Sequence, residues 1–188
     1  QCHARNPVAD PPHPANTPPA INGYHHAGVQ LLADAAKLPI SDMMLRHPAV
    51  TAELHGLFAA RHQPDAPESA LQEAQATFSE AMSTIDNLSD DRWFRALAEL
   101  VEASLRTNAF IRAFGEPVGI KIDPGKLSYS PEPKPYREIF VHGDHLEGVH
   151  LRAGPIAGGG LRYSDRAPDF RTEVLELMST PAVKNGEI

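Results

Sequence analysis

A single cysteine, Cys2, leaves no partner for an intrachain disulfide and no thiolate cage for a metal, and it fits a reducing compartment. Long apolar runs are missing too. Nothing approaches the ~20 residues that cross a bilayer, and the proline-rich start has neither the basic nor the apolar region of a secretory leader. Positive charge is not in surplus: 17 Lys and Arg against 24 Asp and Glu give a formal charge of −7. That balance argues against a general grip on nucleic acid or on an anionic membrane surface. Aromatic residues make up only 6%. The expectation is a cytoplasmic chain. Its 188 residues, 41% hydrophobic and 22% charged, are enough for one ordinary domain with a core and too few for a large multidomain enzyme. Because it begins with Gln1 and stops at Ile188 directly after a charged stretch, we expect a fragment of something longer.

Proline is abundant and unevenly placed. Six of the first twenty residues are proline, a composition that neither propagates a helix nor buries much surface, so residues 1–22 read as a flexible arm. Residues 23–114 read as a helical segment. Ser41 and Asp42 supply the first turn of a short helix carrying Met43, Met44 and Leu45, and Pro48 can open the next. Val50, Leu54, Leu57, Phe58 and Arg61 recur at helical intervals there. A third helix, from about Glu68 to Asp86, carries Leu71, Phe78, Met82 and Ile85 on one stripe. Ser89, Asp90 and Asp91 signal the start of a fourth, with Trp93, Leu97, Leu100, Val101 and Leu105 as its apolar face.

Residues 115–188 change character. Gly119 to Asp123 alternate with period two, and a linker from Pro124 to Pro135 holds four prolines. Glu138–His142 and Gly148–Arg152 then read as a hairpin turning at Gly143 and Asp144. A final helix follows Pro168, with Phe170, Val174, Leu177 and Met178 inward, and Pro181 is expected to end or kink it. The predicted class is α+β: a helical N-terminal segment, a small β-sheet and a helix.

Two clusters invite chemistry. His142, His145 and His150 lie within nine residues, but two of them fall on opposite arms of the hairpin and one at its tip, so solvated turn and edge histidines are the ordinary explanation. Gly158, Gly159 and Gly160 remove every Cβ ahead of Arg162, so backbone N–H groups can approach an anion while the guanidinium forks onto a carboxylate or phosphate. A structural tight turn explains the same glycines. The run has neither the GxGxxG of a dinucleotide fold nor the Lys-Ser/Thr end of a P-loop. Asp165, Arg166, Asp169, Arg171 and Glu173 look like a solvated face with weak ion pairs.

Residues 138–185 read EIFVHGDHLEGVHLRAGPIAGGGLRYSDRAPDFRTEVLELMSTPAVKN. This stretch resembles the large NAD-specific glutamate dehydrogenases of bacteria, in which EGVHLR, GGLRWSDR, DFRTEVL and VKN segments follow in the same order at similar spacing. LRTN at Leu105–Asn108 and the elements around Leu38 to Pro48 resemble the helical region preceding that family's catalytic core. The likeness covers about residues 25–188 and leaves out the arm.

The resemblance implies oxidative deamination of L-glutamate to 2-oxoglutarate with hydride passing to NAD, in an oligomer. It implies that Gly159, Gly160, Arg162 and Lys184 line the substrate, and assigns neither catalytic nor cofactor-binding residues to this chain. The family's catalytic lysine, its catalytic aspartate and its NAD domain would fall past Ile188, so the isolated chain is expected to be inactive. Two departures stand out. Gly158 replaces a basic residue, and Pro181-Ala182 replace a common Gln-Met. They keep open a non-catalytic binding protein derived from the family; a metalloprotein built on the three histidines is the other alternative.

Overall fold

The computed structural model describes residues 40–130, 132–156 and 169–183, the last five of these in backbone only. Helices α1 (Ile40–Arg46), α2 (Pro48–His62), α3 (Ala70–Met82) and α4 (Leu88–Ala103) precede strands β1 (Ser104–Thr107), β2 (Val118–Ile122), β3 (Arg137–Gly143) and β4 (Leu146–Arg152), and α5 (Phe170–Val183) follows. The four strands form an antiparallel meander in the order β1-β2-β3-β4. The α+β class expected from the sequence is the one observed.

Local chemistry sets the helix ends. Pro48 opens α2, where a missing N–H costs nothing. The Thr51 hydroxyl donates to the carbonyls of Met44 and His47, which ties the start of α2 to the end of α1. Asn87 caps α4, its side chain accepting from the N–H groups of Ser89 (2.8 Å) and Asp90 (3.3 Å). The start therefore falls at Leu88, just ahead of the Ser-Asp-Asp signal, because the asparagine reaches two orphan donors at once.

Helix α4 ends earlier than expected. Leu105 is not on its apolar face: α4 stops at Ala103, and Ser104–Thr107 becomes a strand within the stretch read as helical. Pairing decides this. Ser104 lies opposite Ile122 and Thr107 opposite Ile120, so backbone groups that a longer helix would satisfy internally are satisfied by β2 instead. The Ala103 carbonyl also accepts from the Asp123 N–H at 2.9 Å. Thr107 and Asn108, part of the LRTN element, brace the β1–β2 loop: Thr107 Oγ1 donates to the Gly119 carbonyl (2.8 Å), and Asn108 Oδ1 accepts from the Gly119 N–H (2.7 Å). Within that loop Gly115 takes a φ of +83°, a conformation that favours glycine.

One core joins helices and sheet. Val118, Ile120 and Ile122 alternate inward along β2 and meet Phe140 of β3 together with Leu54, Leu57 and Phe58 of α2 and Phe94, Leu97, Leu100 and Val101 of α4. Phe78 and Met82 extend it onto α3, while Leu71, Ile85 and Trp93 are only half-buried against it. Leu45 of α1 points outward, in contrast to Met43 and Met44.

The hairpin closes through a two-residue turn, Asp144-His145, between the paired Gly143 and Leu146. A Cβ on Gly143 would sit 3.2 Å from the Pro117 side chain, so any larger residue there would push Pro117 back by a few tenths of an ångström. Helix α5 packs along β4 and continues through Pro181 to Val183 rather than ending at the proline. Its orientation departs from expectation. Leu177 is 46% exposed, while Arg171 and Leu175, four residues apart on one stripe, are the buried side chains.

Candidate functional site

The glycine–arginine residues Gly159, Gly160 and Arg162, together with Gly158 and Lys184, lie outside the described residues. What the structure places is the chain on either side of the glycine run, and the helix that precedes Lys184 in sequence. Strand β4 leads toward the glycine run, and α5 leads from it to Val183, the residue before Lys184 in the chain.

A charged contact joins the sheet to α5. Glu138 opens the inward face of β3, two residues before Phe140, with its side chain 1% exposed. Arg171 reaches it from the first turn of α5, Nε donating to Oε1 at 2.9 Å and Nη2 to Oε2 at 2.8 Å. Both carboxylate oxygens and two guanidinium nitrogens are thus used in a parallel fork, with the arginine side chain only 5% exposed. Tyr129 lies nearby, donating its hydroxyl to the Ala96 carbonyl at 2.9 Å. Burial, and then the charges of Glu99 and Glu138, push its pKa up, so it stays a neutral donor.

Sequence reasoning missed this pair. Arg171 looked like one charge in a solvated run, and Glu138 sits 33 residues away at the edge of an apolar stretch. The available signal was the period of β3: Glu138, Phe140 and His142 share a face, so a glutamate in phase with a core phenylalanine requires a buried counter-charge.

The histidines divide. His142 stands opposite Glu147, its Nδ1 3.3 Å from Oε1, whereas His150 stands opposite Ile139. Positions 139 and 142 are three apart on β3, an odd offset, so the two imidazoles leave opposite faces of the sheet and cannot converge on one ion. His145 is exposed at the turn. Among the described residues no group of three His, Cys, Asp or Glu side chains gathers for a metal.

Two other polar clusters read as structural. His62 Nε2 lies 2.6 Å from Ser104 Oγ, and the Ser104 hydroxyl donates to the Val101 carbonyl. The serine proton is therefore not directed at the imidazole, which donates instead. Burial, helped by the charge of Arg61, lowers the His62 pKa from 6.5 to about 4. At the other end of α4, burial alone would raise the Asp90 pKa, but hydrogen bonds from His47 (2.9 Å) and Arg46 (2.8 and 3.0 Å) outweigh it and leave the carboxyl below its usual value. A polar recess of about 290 Å³ is lined by Arg61, Gln75, Glu99, Glu102, Ala103 and Lys126. Several of these groups are already engaged: Arg61 Nε donates to the Ser104 carbonyl, and Glu99 accepts from the backbone and hydroxyl of Ser128. None of its lining residues belongs to β4 or α5.

An antiparallel sheet with helices on one face and a helix docked at its last hairpin defines an α+β piece of a catalytic domain. The family model described as the catalytic domain of bacterial NAD-glutamate dehydrogenase matches residues 77–188. The chain belongs to that family. An NAD-specific glutamate dehydrogenase of Halomonas elongata is 42% identical over 148 residues, covering 76% of this chain and 9% of the relative. One from Mycobacterium tuberculosis is 42% identical over 158 residues, covering 79% and 10%. One from Pseudomonas aeruginosa is 36% identical over 164 residues, again covering 79% and 10%. The chain thus spans about a tenth of the length of these curated relatives.

Proposed function

We propose that this chain supplies one side of the substrate pocket of an NAD-dependent glutamate dehydrogenase, which deaminates L-glutamate oxidatively to 2-oxoglutarate and ammonia. The observation that carries the reading is the catalytic-domain match, whose range takes in both the glycine–arginine run and Lys184. In this reading Gly159 and Gly160 leave main chain bare for close approach by the substrate, and Arg162 and Lys184 provide the positive charge for its carboxylates. Rigid placement matters because a misplacement of ~1 Å can cost about a hundredfold in rate.

NAD does not fit the residues described. Their sheet is an antiparallel meander, with no parallel strand–helix–strand unit opening on a glycine-rich turn to receive a pyrophosphate. We assign NAD, and the catalytic lysine, to parts of the enzyme outside this chain. A homo-oligomer and a cytoplasmic location belong to the same reading; the open outer edges of β1 and β4 among the described residues support the first, and the single cysteine supports the second.

The test is calorimetric titration of the purified chain with L-glutamate and with 2-oxoglutarate. Binding that weakens as chloride is added and is lost in Lys184→Ala is the expected result, with no NAD reduction above blank. Heat of dilution alone for both ligands would overturn the pocket, and measurable turnover would overturn the placement of the catalytic lysine.

A further inference from the structure

The core and the Glu138–Arg171 fork occupy one face of the sheet. Val118, Ile120, Ile122 and Phe140 point to it, each at most 3% exposed. The alternate residues form the other face, where strand pairing brings cations together. Arg106 stands directly opposite Lys121, and Arg137 directly opposite Arg152. Asp123 offsets Arg137 from 3.2 Å, while Arg106 and Lys121 have no ion pair among the described residues. Like charges directly opposite each other destabilise a sheet. Two such pairs on one face, in a chain with a formal charge of −7, are a cost that an anionic partner would remove.

This face is a pleated plane and not a recess. Gly119, Val141 and Gly148 lie opposite one another across β2, β3 and β4, and Ile139 lies beside Lys121. The two glycines leave backbone and a little apolar surface open between the cations. Such a plane suits a macromolecular surface better than a small ligand, which binds in a concavity.

The chain carries a complementary surface of its own. Residues 63–91 hold seven Asp and Glu and no Lys or Arg. Asp90 and Asp91 are engaged by Arg46 and Arg95, but Glu73 and Glu80 of α3 are exposed and have no ion pair among the described residues. They share one stripe with Ala76 and Thr77, opposite the stripe of Leu71, Phe78 and Met82 that faces the core. Seven residues along a helix separate the two carboxylates by about 10 Å. Two strand spacings across the sheet and two residues along it separate the two cation pairs by about 12 Å. Long side chains cover the difference, and Ala76 and Thr77 are short enough for the helix to approach Ile139 and the glycines.

We propose that this sheet face docks a second copy of the chain, with Glu73 and Glu80 on α3 of one copy meeting the Arg106–Lys121 and Arg137–Arg152 pairs of the next. The inference deepens the homo-oligomer proposed above and rests on it. Exposed ion pairs are individually weak and are screened by salt, so the contact forms at high concentration and is salt-sensitive.

Sedimentation velocity on the full chain tests it. At low salt the weight-average mass should rise between about 10 µM and about 1 mM chain, and it should fall back toward the monomer when salt is raised to about 0.3 M. Two variants locate the contact. Lys121→Glu with Arg152→Glu turns both opposed pairs into cross-strand ion pairs, and Glu73→Lys with Glu80→Lys reverses the helix stripe. They shift the net charge in opposite directions, so a loss common to both is not an effect of overall charge. Each should weaken self-association at least about tenfold. The thermal midpoint of the sheet variant should be no lower than that of the unaltered chain, because opposite charges then face each other.

Self-association unchanged in either variant would overturn the docking. Association indifferent to salt would overturn it too, and would return the homo-oligomer to the open strand edges. A chain that stays monomeric at low salt would overturn the docking and the homo-oligomer together. Binding of a polyglutamate peptide by such a monomer would assign the face to an acidic segment of another protein, against a second copy. If the sheet variant melts lower or does not fold, the helix variant, altered only at exposed positions, decides alone.

Discussion

Between α4 and the sheet, contact is made by Phe94, Leu97, Leu100 and Val101 against Ile120, Ile122 and Phe140, all at most 3% exposed. On α5 the most buried described side chains are Arg171, forked onto Glu138 of the same sheet, and Leu175, with Phe170, Val174 and Met178 half-buried beside them. The first junction is broad, apolar and tolerant in angle, because burial is rewarded in proportion to area whatever the exact approach. The second is narrow and angular.

The contrast breaks most visibly at Phe94. Removing this fully buried ring in Phe94→Ala should cost about 3–5 kcal/mol in a denaturant melt, by transfer and cavity formation together. Amide exchange in the same variant sharpens the comparison. If α5 and the hairpin lose protection together with α4, the two junctions unfold as one cooperative body; if they keep it, the angular junction stands alone.

This is also where the limits of the sequence show. Helical periodicity located α2, α3 and most of α4, and alternation located β2 and the hairpin, because in each case one face is apolar over enough residues to impose a period. Strand β1 was hidden, since Ser104–Thr107 continues the composition of α4 and turns into a strand only where β2 offers it partners. The facing of α5 was hidden for a different reason. Its apolar residues outnumber its charges, so Leu177 looked inward, while the most buried described side chain is an arginine whose partner lies 33 positions back. The motif residues Gly159, Gly160, Arg162 and Lys184 were named by resemblance, whereas the Glu138–Arg171 fork was hidden because its two halves lie 33 positions apart.

A smaller effect should appear on acidification, and it belongs to the helical side. His62 is held neutral, with a pKa lowered from 6.5 to about 4, so the folded state binds fewer protons than the unfolded chain between those values. Its contribution is complete above pH 6.5 and is lost as pH falls toward about 4. Discounted for partial exposure, the loss is on the order of 1–2 kcal/mol. His62→Gln, whose amide can still donate to Ser104, should flatten this limb of the stability–pH curve; an unaltered slope would refute the assignment.

The smallest change concerns the cap of α4. Asn87→Ala removes an acceptor shared by two N–H groups and should lower stability by about 1 kcal/mol, read as a shift in denaturant midpoint with no change in slope. Exchange across α5 should be unaffected. A change there would mean that the two junctions communicate through the sheet.

The direct passage from α4 into β1 constrains how this polypeptide can be cut or extended. One residue added at Ala103-Ser104 would swap the two sides of a strand whose partner is already fixed, so a tag, a split site or a permuted terminus placed there should scramble the pleat. The bend around Gly115, where the exposed Ile111 and Phe114 project, is the better place to open the chain.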